Sequence, residues 1–260
     1  MSDAVLIEDH GAVRIISINR PERRNAVDRE TGDALYEAFC AFEASESAAV
    51  AILTGTEGAF CAGFDLKSLS ATGTEARVEP GGEGDLGPMG PTRLSLSKPV
   101  IAAIEGHAVA GGMELALWCD LRVVAEDATF GIFCRRFGVP LVDGGTFRLA
   151  RLIGQSRAMD LILTGRPVGA DEAERIGLAN RLVPSGRALE EAMTLAQSLT
   201  RFPQRCMRND RLSLLAQWGM SHDEALRSEY EFGLQTMDSG ETLDGATRFT
   251  GGQGRGGAFE

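Results

Sequence analysis

Apolar positions recur in two periods along the first part of the chain. Val13–Ile18 and residues 49–53 are short runs dense in β-branched residues, which predicts strands. Between them Leu35, Ala38, Phe39 and Phe42 fall at i, i+3, i+4 and i+7, predicting an amphipathic helix over 28–43 with Asp28 as N-cap. Val100–Ile104 and Leu121–Ala125 read as two further buried strands, with the helix-like M-E-L-A-L-W-C between them. Residues 157–163 and 171–177 carry helical patterns, the second opening on an Asp and closing on a Gly. Strands alternating with helices predict an α/β fold with largely parallel pairing. After about Leu182 the strand signal vanishes; 188–199 and 211–218 are helical, and 251–257 is a Gly-rich tail. The expected boundary therefore lies near Val183, with a core over 1–183 and a helical region over 184–260.

Residues 71–91 break the pattern. Six glycines, three prolines and little apolar content predict a mobile surface loop bordering a buried strand, a common place for a binding site. A net charge of −11 argues against a nucleic-acid surface while leaving room for an anionic small ligand. The N-terminal M-S-D-A-V-L-I-E-D-H has an acid where a secretory leader carries positive charge. The best apolar run, 99–119, is interrupted by Glu105, His107 and Glu114, so no membrane partner is expected. Five scattered cysteines without a C-x-x-C pair favour neither zinc nor a disulfide framework, and a cytoplasmic protein is expected.

Two Gly-rich turns follow strands: F-C-A-G-F-D-L-K at 60–67 and G-H-A-V-A-G-G-M-E-L at 106–115. A helix starting near Gly111 leaves its first N–H groups without intrahelical acceptors, and glycine lets a ligand approach them closely. One N–H from each turn, converging on a single oxygen, would stabilise negative charge developing there. An ordinary pair of tight turns is the competing reading. The spacing of neither turn fits a dinucleotide fingerprint, and no Walker A sequence is present.

Four stretches taken in order, N-R-P-E-R-R-N-A at 19–26, F-C-A-G-F-D-L-K, K-P-V-I-A-A-I-E-G-H-A-V-A-G-G-M-E-L-A-L-W-C-D at 98–120 and L-T-G-R-P-V-G-A-D-E-A at 163–173, resemble the crotonase, or enoyl-CoA hydratase/isomerase, superfamily over about residues 4–185. The resemblance implies a spiral of ββα repeats with a helical C-terminal region that mediates homotrimers or dimers of trimers. It implies acyl-CoA thioester substrates, with no metal and no cofactor beyond the coenzyme A of the substrate. By resemblance, Ala62 and Gly111 contribute the N–H groups that hold the thioester oxygen as an enolate develops, and Glu114 is the leading acid/base. Arg23, Arg24, Ala26, Ala62, Gly63, Phe64, Asp65 and Leu66 would border the coenzyme, with Asp65 ordering the first turn.

Hydratases of the family use two carboxylates, and the ungapped spacing from Glu114 puts Cys134 where the second would stand. A thiol, with a reference pKa of about 8.5 against about 4.3 for Glu, is a poor replacement for a carboxylate base. Asp143 lies near the position where family isomerases carry an acid, so it either lines the site or caps the following helix. Arg135 and Arg136 either meet a carboxylate on the acyl group or point away from the site. Three readings follow: an enoyl-CoA hydratase, an isomerase-type proton shuttle between Glu114 and Asp143, or an acyl-CoA-binding protein without turnover.

Overall fold

The protein is described by a computed structural model over residues 4–72 and 81–254. The chain divides into two compact units, Met1–Gln197 and Ser198–Glu260.

In the first unit the elements run β1 (Val5–His10), β2 (Val13–Ile18), α1 (Arg29–Ala44), β3 (Val50–Gly55), α2 (Leu66–Thr72), β4 (Val100–Ile104), β5 (His107–Val109), α3 (Gly111–Trp118), β6 (Leu121–Ala125), β7 (Thr129–Gly131), α4 (Gly145–Ile153), α5 (Gln155–Thr164), β8 (Val168–Gly169), α6 (Ala170–Arg175) and β9 (Arg181–Val183). A six-stranded sheet has the order β1-β2-β3-β4-β6-β9, antiparallel only at β1–β2. A second sheet pairs β5-β7-β8. All five residues of β4 are buried, as a parallel strand covered on both faces requires. β1 has no counterpart among the predicted strands. Of V-L-I-E-D-H only Val5 is buried, so the stretch shows no period-2 signal. Asp28 caps α1 as expected, its Oδ1 accepting from Thr31 N at 3.0 Å.

The expected boundary near Val183 is displaced to Gln197. The helix α7 (Ala188–Thr200) buries Ala188, Ala192, Leu195 and Ala196, and the Glu105 carboxylate accepts from Gly186 N and Ala188 N at its start. These contacts hold α7 to the first unit as far as Gln197. The second unit continues through α8 (Gln204–Ala216), α9 (His222–Asp238) and α10 (Glu241–Thr250). Asn209 Nδ2 on α8 donates to Thr236 Oγ1 on α9 at 2.9 Å, and a Ser221–Glu224 capping box opens α9. Part of the predicted tail, 255–257, lies outside the described residues. Among these residues no helix is long and apolar enough to cross a membrane.

Residues 71–91 are not a surface loop throughout. Part of this stretch lies outside the described residues, but Met89, Gly90 and Pro91 are buried. Mutual hydrogen bonds between Gly87 and Gly90 close a turn that carries Met89 into the interior.

Arg122, on β6, is 1% exposed and serves as an internal brace. Its Nε donates to Leu178 O at 2.7 Å, Nη1 to Cys119 O at 2.8 Å, and Nη2 to Asn180 Oδ1 at 3.1 Å. The Cys119 carbonyl lies just past the end of α3, so this cation supports the helix that carries Glu114. Arg122→Lys keeps the charge but cannot span these acceptors. It is expected to lower unfolding stability by about 2–3 kcal/mol in chemical denaturation, with circular dichroism unchanged.

Candidate active site

Residues 60–65 lie as an extended segment between two neighbours. On one edge Cys61 N donates to His107 O at 2.8 Å and Val109 N donates to Cys61 O at 3.1 Å. On the other edge Ala62 N donates to Arg24 O at 3.0 Å, Val27 N to Gly63 O at 2.8 Å, and Asp65 N to Val27 O at 2.8 Å. In this parallel bridge at Phe64 the flanking residues bond to Val27, so Phe64's own N–H points the other way. It meets no acceptor among the described residues.

The start of α3 packs against this segment with almost no clearance. A Cβ on Gly112 would lie 2.1 Å from Cys61 O, and one on Gly63 (φ +94°) would lie 2.9 Å from Gly111 N. Only residues without a side chain permit the approach. Ala110, the residue before the helix, is held at φ 53°, and its N–H donates to Gly131 O at 2.8 Å. The Gly111 N–H is one of the helix's orphan donors and meets no acceptor among the described residues. Among the described residues each turn thus offers a free donor, the N–H of Phe64 and the N–H of Gly111. The expectation for Ala62 is corrected, because its N–H is engaged by the Arg24 carbonyl.

Glu114 is 3% exposed. Its Oε1 accepts from Asp143 N and Gly145 N, both at 2.9 Å, while Oε2 accepts from nothing among the described residues. Burial, and then the charge of Asp143, push its pKa up to about 7, against the pull of these two N–H groups and Arg148. A carboxyl poised there exchanges protons near neutrality.

Asp143 is also buried, and burial raises its pKa. It does not cap α4: the N-cap is Gly144, and no side chain caps it. Asp143 Oδ1 accepts from Thr92 Oγ1 at 2.5 Å and Met89 N at 3.1 Å, fastening the 87–92 turn, and Oδ2 accepts from nothing among the described residues. Met89 lies against Gly111, whose notional Cβ would sit 2.5 Å from the Met89 sulfur. Cys134 is buried close enough to Glu114 to feel its charge, and burial first and that charge second raise its thiol pKa. The thiol is therefore protonated at neutral pH and is no base. Arg135 and Arg136 are exposed, the first donating to Ile162 O and the second lying over the Phe133 ring.

Around residues 20–26, Arg23 and Arg24 are exposed while Asn25 and Ala26 are buried. Asp65 does order the first turn: Oδ1 accepts from Lys67 N and Ser68 N, and Oδ2 pairs with Arg20 at 3.1 Å. Leu66 begins α2 and is exposed. The expectations passed over Arg20, which joins Asp65 to Asp28, and Asn25, which donates to Thr56 O and Ala59 O. They also passed over Thr92, Met89 and Arg148. None of these belongs to a local pattern; each acts across tens of residues.

Residues 8–251 match the family described as Enoyl-CoA hydratase/isomerase. The chain is 34% identical over 251 residues to the enoyl-CoA hydratase EchA19 of Mycobacterium tuberculosis, covering 94% of this chain and 92% of that protein. It is 38% identical over 201 residues to the carnitinyl-CoA dehydratase of Salmonella typhi, covering 76% and 75%. The crystal structure of enoyl-CoA hydratase EchA1 from Mycobacterium marinum superposes with a TM-score of 0.88 at 35% identity, covering 96% of each chain.

The raised pKa has a sign for stability. The folded state holds the Glu114 proton more tightly than the unfolded chain, so this group's contribution is present in acid and lost as pH rises from about 4.5 through about 7. Glu114→Gln keeps an oxygen for both N–H donors and never carries the charge. It is expected to exceed the wild type in stability by about 2–3 kcal/mol at pH 9, with no advantage at pH 5. Urea denaturation at the two pH values measures the difference.

Proposed function

The chain belongs to the enoyl-CoA hydratase/isomerase family, and from that premise we propose that it adds water across the conjugated double bond of a 2-enoyl-CoA thioester. The observation that carries this reading is a buried glutamate, one oxygen fixed by two N–H groups, on the same short helix as an unpaired Gly111 N–H. The thioester oxygen lies between the N–H groups of Gly111 and Phe64. Ionised Glu114 takes a proton from water as the water oxygen bonds to the β-carbon. The double-bond electrons move to the α-carbon and thioester oxygen, and the two donors stabilise that enolate. Glu114 then returns the proton to the α-carbon. With a protonated thiol at Cys134, one carboxyl performs both transfers.

Coenzyme A lies along Arg23, Arg24, Ala26 and residues 62–66, where the two exposed guanidinium groups meet phosphate charge. The enzyme works in a reducing cytoplasm, a reading supported by five free cysteines. It assembles as a homotrimer or a dimer of trimers. Exposed Leu214, Trp218, Tyr230 and Leu243 in the second unit support an apolar subunit contact.

Asp143 favours a second reading, isomerisation. Its Oδ2, free among the described residues, belongs to a second buried carboxyl group near Glu114, and two such groups can remove a proton from one carbon and deliver one two carbons away.

Loss of the conjugated absorbance of crotonyl-CoA tests hydration. Glu114→Gln is expected to lower kcat by about 10²–10⁴-fold with little change in KM. In the wild type the rate is expected to rise as pH passes through about 7, where the carboxylate forms, then level off. Cys134→Glu is expected to raise kcat by supplying the second carboxylate. Double-bond migration in a 3-enoyl-CoA without hydration selects the isomerase reading, and binding without any turnover removes both.

A further inference from the structure

The turn at 143–145 holds Glu114 through two backbone N–H groups, and something must hold that turn. The Arg148 side chain, from the first turn of α4, folds back over it. Nη1 donates to Asp143 O at 2.7 Å and Nη2 to Thr92 O at 2.7 Å. A Cβ on Gly144 would lie 2.2 Å from Nη1, so the guanidinium rests on the residue between the two N–H donors. The same two residues are joined a second time by the bond from Thr92 Oγ1 to Asp143 Oδ1. Arg148 thus touches the peptide chain that presents both donors.

We propose that Arg148 is a positioning residue of the site: its fork clamps the 143–145 turn onto Glu114, and its charge answers the two buried carboxylates beside it. This assignment rests on Glu114 being the acid/base of the proposed reaction.

Among the described residues both hydrogen-bond acceptors of Arg148 are neutral carbonyls, so its charge is left to act through space. The ionisable groups around it are Glu114, Asp143, Cys119 and Arg151. Those around Glu114 are Asp143, Arg148 and Cys134, and Arg93 faces Asp143 together with Arg148. Among these, Arg148 is the cation that acts on both carboxylates, favouring their ionised forms. Lysine in its place would keep a charge, but its point-like ammonium cannot hold two carbonyls in one plane as the fork does.

The test reads Glu114 itself, without turnover. In protein labelled with ¹³C-glutamate, the Glu114 carboxyl signal is identified by its loss in Glu114→Gln and followed against pH. Arg148→Met is expected to move its midpoint up by on the order of one pH unit, a tenfold gain in proton affinity. Arg148→Lys is expected to leave the midpoint near the wild-type value while speeding amide exchange at Asp143 and Gly145. A folded Arg148→Met protein titrating as the wild type does would overturn the electrostatic half. Unchanged exchange in Arg148→Lys would overturn the clamp. Should Arg148→Met not fold, Arg148→Gln makes the same charge deletion and is read the same way. A wild type that does not hydrate crotonyl-CoA sinks the proposed reaction while leaving this titration readable; a hydrating wild type whose Arg148→Met variant shows an unmoved midpoint sinks the electrostatic half of the Arg148 assignment alone.

Discussion

The two hydrogen bonds from Asp143 N and Gly145 N to Glu114 Oε1 join parts of the chain that are 29 and 31 residues apart. One is a helix that begins just after β5 of the smaller sheet; the other is a turn reached only after β6 and β7. Glu114 is nearly sealed from water, and a carboxylate there is costly unless donors replace its hydration. Backbone donors do this without adding a titratable group. Because only one oxygen is satisfied among the described residues, the other keeps its capacity for a ligand. The arrangement is a compromise in which the charge is tolerated but not relaxed, which is why the group titrates near neutrality.

That compromise depends on close packing elsewhere. Gly112 lets α3 settle on the Cys61 carbonyl, and Gly145 leaves room for the Glu114 side chain, whose Cγ would lie 2.8 Å from any Cβ there. The Arg122 brace fixes the other end of α3. A wall formed by the 87–92 turn is attached to the site by Asp143. The carboxylate that most raises Glu114's proton affinity is therefore also a fastening for the site's own boundary.

The four inner strands of the large sheet were readable because their evidence is local. β2 and β4 span the residues that the apolar runs mark, and Asp28 caps the helix whose stripe begins at Leu35. Glu114 and Gly111 were readable together because three positions on one helix separate them. Asp143 resisted, since its partners Met89 and Thr92 lie 54 and 51 residues away and nothing in its neighbourhood points to them. The confusion of Ala62 with Phe64 has another cause. The two N–H groups are two residues apart, which strict alternation would put on one edge; Gly63, at φ +94° between them, turns the chain so that Ala62 N meets Arg24 O while Phe64 N faces away. Arg148 looks like any charged residue on an amphipathic helix until its fold-back is seen.

The unpaired N–H groups of Phe64 and Gly111 belong to the main chain, with consequences for how this surface can vary. The side chain at 64 can change without removing its donor, so an alanine scan would pass over that half of the site and report only packing. A single-atom exchange of amide for ester is the change that deletes it. The residue type at this position is accordingly free to follow the shape of the ligand, while the donor beneath it persists in every sequence that keeps the bridge to Val27 and is not proline there.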